Sequence, residues 1–204
     1  MPKFNDALRL RVSGICGFLA PVFAFAFIFS AIASYSEFSW VGNALSDLGV
    51  VAGVTAVLFN SGLLIGGVLC FVFATGLFVF LKERTVGRIG AFVFVLASLA
   101  LFAIGVFPEN VRPMHYLVSV MFFVLLPVSM LVIVGAFWLM GQVRMAVFTL
   151  LVAVAAAAPW VLYFSIHYVS GVAVPEAVSA FAGSVWAVVL SGKMLRQASR
   201  SKTS

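Results

Sequence analysis

Residues 55–81 read TAVLFNSGLLIGGVLCFVFATGLFVFL, a run with no charged side chain and only Thr55, Asn60, Ser61 and Thr75 to interrupt its apolar character. About 20 apolar residues in a helix cross a hydrocarbon core of roughly 30 Å. In lipid the backbone must satisfy its own hydrogen bonds, which a helix does within one segment and an isolated strand does not. A membrane β-barrel would alternate apolar and polar residues over strands of about ten. This run is continuous instead, so it reads as a transmembrane helix.

Similar runs recur on both sides of it. Six spans emerge, over about 12–34, 55–81, 89–107, 114–140, 145–168 and 176–195. The chain is 64% hydrophobic and 9% charged, against about 25% charged in an ordinary soluble domain, so no water-facing domain surface is expected. The first span follows Lys3, Arg9 and Arg11 as a signal peptide would. It is long and lacks an A-x-A cleavage site, so it reads as a membrane helix. The links after the second span are short, and the longest loop covers 35–54. Short links make successive helices antiparallel. The expected fold is therefore all-α: one polytopic membrane domain, a six-transmembrane-helix up-and-down bundle with a polar tail at 196–204.

Charge sets the expected orientation. Lys3, Arg9, Arg11, Lys82, Arg84, Arg88, Arg144, Lys193, Arg196, Arg200 and Lys202 fall on one side of this layout, and Arg112 alone on the other. Basic loops stay cytoplasmic, which predicts a cell-membrane protein with both termini inside (N-in/C-in). The net charge of +6 is then a topology signal, and nucleic acid is not an expected partner. Cys16 and Cys70 lie in apolar runs with no metal-binding spacing and read as buried small hydrophobes.

The polar residues point elsewhere. Glu37, Asp47, Glu109 and Glu176, with His115, His167, Asn43, Ser46, Asn110 and Arg112, gather at the outer ends of the spans, and Asn60 lies one to two turns inside. In 43–49, NALSDLG, Ser46 and Asp47 suit a helix N-terminus. A helix running from Asp47 to the end of the second span would be about 52 Å long at 1.5 Å per residue, more than a membrane needs. The segment is therefore expected to form a turn or short interfacial helix, with Asp47 either a cap or aimed into a site. In 107–115, FPENVRPMH, Pro108 ends one span and Pro113 starts the next. Glu109 and Arg112 are set to pair. His115 suits either an interfacial hydrogen bond or acid/base and metal chemistry. At the last span, Val174-Pro175-Glu176 is ordinary helix-start punctuation. Two histidines level with three acids could also hold a divalent metal such as zinc.

These motifs in this order (NALSDLG, LFNSGLLIGG, FPEN before His115, and VPEA) resemble the membrane family known as domain of unknown function 998, over nearly the whole chain. They are more loosely similar to the Frag/DRAM/Sfk membrane family. The first resemblance implies a six-span protein of the kind found in archaea and bacteria, with Asn43, Ser46, Asp47, Asn60, Glu109, His115 and Glu176 as the family-like residues. The second implies a link to lipids.

Two functions from different classes follow. One is a lipid-binding or structural membrane protein, whose partners are membrane lipids and whose polar cluster holds the outer end. It would bind through Asn43, Ser46, Asn60, Glu109, Arg112 and Glu176. The other is a membrane-embedded lipid hydrolase or transferase with His115, His167 and Asp47 as catalytic groups, and His115, His167, Asp47 and Glu176 as candidate metal ligands. A transporter ranks third, because charged residues are missing from the span centres, where a transport site would need them.

Overall fold

The computed structural model describes residues 4–200, so Lys3, Lys202 and residues 201–204 of the tail lie outside the described residues. It is all-α. Helices α1 (Phe4–Ala33), α2 (Val54–Phe80), α3 (Thr85–Val106), α4 (Met114–Leu139), α5 (Val143–Ile166) and α6 (Ala173–Arg200) are all long and apolar enough to cross a membrane. The chain is a multi-pass membrane protein. Helix ends and span ends differ where charge is involved. α1 begins at Phe4 and α6 runs to Arg200, beyond the apolar runs, because a charged side chain leaves lipid without breaking helical hydrogen bonds.

Each helix packs on the next in the chain, and α1 packs on α6, which closes a ring. α4 and α6 barely touch, and α5 bridges them by packing on both. At one end, the base, the Lys82 ammonium after α2 lies 2.9 Å from the Asp6 carboxylate in the first turn of α1.

Above the base the helices pack tightly. Leu10, Leu77, Leu81, Met130, Ile133, Phe137, Leu190 and Met194 have no exposed surface. Glycine permits this contact: a Cβ on Gly90 would lie 2.5 Å from Ile133 Cγ1. In lipid, where apolar burial drives little helix association, such close approach supplies much of the attraction. Midway along the bundle, Phe73, Phe94 and Trp186 form an aromatic triangle, with centroids 5.6, 5.4 and 6.1 Å apart. The Trp186 indole N–H donates to Thr149 Oγ1 at 3.2 Å.

Candidate functional site

The opposite end, the cap, is built from the loop between α1 and α2. Ser34 closes α1 and its hydroxyl lies 2.8 Å from Thr55 Oγ1, which ties the two ends of that loop together. The Asn43 side chain is used twice. Its Oδ1 accepts from the Ser39 N–H at 2.9 Å, and its Nδ2 donates to Asp47 Oδ2 at 2.7 Å. The same Asp47 oxygen accepts the Ala44 N–H at 3.0 Å. This side-chain turn leads into a short 3-10 helix, Ser46–Val50, which carries the fully buried Leu48. Asn60, inside α2, donates its Nδ2 to the Gly49 carbonyl at 3.0 Å. Gly49 leaves room for this approach: a Cβ there would lie 2.7 Å from Asn60 Oδ1 and would displace that side chain.

The cap is also tied to the other links. The Gly171 N–H donates to the Val41 carbonyl at 2.7 Å and the Ala173 N–H to the Asn43 carbonyl at 2.9 Å. Glu176, in the first turn of α6, accepts the Leu45 N–H on Oε2 at 2.6 Å. From the link between α3 and α4, Glu109 Oε2 accepts the Ser46 hydroxyl at 3.5 Å, and Oε1 lies 3.6 Å from Arg112. The Asp47 and Glu109 carboxyl groups are near enough to share a proton.

Three acids from three distant stretches of sequence thus meet around one short helix. Sharing a proton pushes the two outer acids apart in acidity. Burial, the hydrogen bond to Asp47 and the Asp47 charge raise Glu109 to about 7, against a weaker lowering by Arg112 and Ser46. Burial also acts to raise Asp47, but hydrogen bonds from Glu109, Asn43 and the Ala44 N–H outweigh it and hold Asp47 below its ordinary value. Near neutral pH the pair therefore holds one proton for much of the time, on Glu109 and directed at Asp47.

The histidines part company. His115 is buried, its Nδ1 2.7 Å from the Phe107 carbonyl and its Nε2 3.3 Å from Ser119 Oγ. A carbonyl can only accept, so Nδ1 carries a proton, and when the ring holds that proton alone Nε2 accepts the Ser119 hydroxyl. His167 is the left-handed cap of α5, with φ 46°; it is exposed, and its ring stacks at an angle near Tyr163. The proposed metal set of His115, His167, Asp47 and Glu176 is therefore corrected. Among the described residues no group of three or more His, Cys, Asp and Glu is placed to hold a metal ion. The reason is geometric: both nitrogens of His115 are engaged, and the left-handed turn leaves His167 at the exposed end of α5. Arg112, 78% exposed, stands at the rim with Glu109 as its ionic partner.

Beneath the cap lies a cavity of about 110 Å³, lined by α1, α2, α3, α4 and α6. Its polar lining near the cap is Ser46, Glu176 and Ser119, and its deep end is Cys70, Phe94 and Ala187, against the aromatic triangle. From Glu176 to Ala187 along α6 is about 16 Å at 1.5 Å per residue. That is about half of a hydrocarbon core, so the cavity is narrow and one leaflet deep. Small residues make the space, among them Ala20, Ala24, Ala180 and Gly183. Sequence reading passed over Ser119, which sits in an apolar run, and over the Leu45 N–H, which carries no side-chain signal.

The family model "Protein of unknown function (DUF998)" matches residues 18–193. No curated protein and no solved structure matches the chain. The chain belongs to the DUF998 family.

Proposed function

We propose that this member of the DUF998 family is a lipid-binding protein of the cell membrane, an up-and-down bundle with both termini cytoplasmic, which holds one hydrocarbon chain in the cavity beneath its cap. The observation that carries this reading is the pairing of an apolar, one-leaflet-deep cavity with a polar cluster at one end of it. An amphiphile has that same division along its length, and ligand pockets combine apolar walls with a few placed polar groups in this way. The basic residues favour a cytoplasmic base, and in that orientation the cap and the cavity beneath it belong to the outer leaflet.

Ala180, which lines the cavity one turn below Glu176, supplies the test. Native mass spectrometry of the purified protein is expected to find a retained amphiphile in the natural chain and none in Ala180→Phe. Equal lipid content in the two proteins would overturn the reading. Reporter fusions to the Lys82–Arg84 and Glu109–Arg112 links are expected inside and outside respectively, and the reverse would overturn the orientation.

One observation favours a second reading, a lipid hydrolase or transferase. Ser119 lines the cavity, and its hydroxyl faces the acceptor nitrogen of His115, whose other nitrogen is held by a backbone carbonyl. That is the arrangement in which a histidine acts as base toward a serine nucleophile. A fluorophosphonate probe is expected to label the natural chain and spare Ser119→Ala if this reading holds; no labelling of the natural chain would leave lipid binding alone.

A further inference from the structure

We infer that the ligand is a single-chain amphiphile whose head is a protonated amine, with the ammonium paired to Glu176; this rests on the cavity holding a hydrocarbon chain. Glu176 is only 7% exposed and lines the cavity. Its Oε2 takes the Leu45 N–H, while Oε1 has no hydrogen-bond donor among the described residues. The acids that act on it are Asp47, which is ionised, and Glu109, which holds a proton for much of the time near neutral pH. The rim cation Arg112 is directed at Glu109 instead.

A buried carboxyl group with one free oxygen, acidic neighbours and no cation is costly in isolation. A ligand cation resolves that cost. An ammonium has three donors and no acceptor, and Ser46 and Ser119 line the same cavity as oxygen acceptors beside Glu176. A carboxylate or phosphate head would meet like charge beneath the cap. A hydroxyl head would gain a hydrogen bond without the charge pairing. At about 110 Å³ the cavity encloses the part of one chain next to the head.

Dodecylamine, dodecan-1-ol and dodecanoate share a chain and differ in the head. Their binding at pH 7 is measured by calorimetry on the full chain in zwitterionic nanodiscs, with empty discs subtracted. The amine is expected to bind at least tenfold more tightly than the alcohol, and dodecanoate most weakly. Glu176→Gln keeps an acceptor for the Leu45 N–H. It is expected to lose the amine preference by tenfold or more while the alcohol's affinity holds within twofold.

Equal binding of amine and alcohol to the natural chain overturns the inference, whether or not the variant folds. An amine preference that survives in a folded Glu176→Gln protein also overturns it. In both cases lipid binding stands, provided that the alcohol still binds and that Ala180→Phe abolishes it. If no probe binds the natural chain, the inference and the lipid-binding reading fall together.

Discussion

Glycine brings helices into contact on both sides of the Phe73–Phe94–Trp186 triangle, but only above it do glycine and alanine also leave a hollow. Gly17 illustrates the first use: a Cβ there would collide with the Phe73 ring and the Ser191 hydroxyl. Gly183 illustrates the second. A Cβ there would lie 3.1 Å from Leu126 Cδ2, the end of a flexible side chain, and both residues line the cavity. One residue type therefore serves either packing or vacancy, according to what faces it. The base half is held by close contact, and the cap half by close contact at Gly62, Gly67 and Gly105 together with hydrogen bonds between loops around a space.

The largest effect that would break this contrast lies at the triangle. Trp186 is fully buried on two aromatic neighbours, so Trp186→Ala is expected to destabilise the bundle by about 3–5 kcal/mol. Reversible unfolding in detergent micelles measures it, and a loss below about 1 kcal/mol would show that the triangle does not anchor the fold.

At the cap, Asp47→Ala removes the acceptor for Asn43 and the Ala44 N–H. A loss of about 1–3 kcal/mol is expected, confined to the cap. Hydrogen exchange should quicken at Ala44 and Leu45 and stay unchanged in the base half; uniform quickening would mean that the halves are not separable.

Smaller again is a pH dependence that only the cap should show. Glu109 is raised to about 7 in the folded protein, so its contribution is fully present below its ordinary value of about 4.3 and is lost as pH rises through about 7. Asp47 runs the other way: its contribution is present above its ordinary value and lost as pH falls through its lowered one. The melting temperature is therefore expected to fall between pH 5 and pH 8, and Glu109→Gln, which cannot ionise, should flatten that slope. An unchanged slope in the variant would assign the dependence to other groups.

The smallest effect belongs to His167. Its side chain is exposed and stands apart from the carboxylates, so His167→Ala is expected to change stability by no more than about 0.5 kcal/mol. A larger change, read by the same unfolding assay, would make His167 a further anchor of the cap.

These residues also show what a sequence makes legible. Depth was readable: apolar runs fix where a residue lies along the membrane normal, so Asp47, Glu109, Glu176 and His115 were expected at one level, and the loop after α1 was expected to form a turn or short interfacial helix. Direction around each helix was not readable. The helices are apolar on nearly every face, and a pattern without a polar face does not say which side turns inward. His167 and His115 share a level and diverge for that reason. A left-handed cap residue, with φ 46° at His167, has no signature in a run as ordinary as YFSIHYVSG. The cavity was hidden too, since an alanine that leaves space and an alanine that fills it are written the same way.

The bond between Leu45 and Glu176 joins positions 131 residues apart. Chains are made from the N-terminus, and early segments organise first. Most of the cavity wall, α1 to α4, is thus synthesised well before the residue that fastens its roof. Until α6 has entered the membrane, the loop after α1 lacks both its carboxylate anchor and its backbone partners at Gly171 and Ala173. The cap is completed only with α6, and a ribosome product that stops after α5 would be a vessel with one wall missing and its lid unfastened.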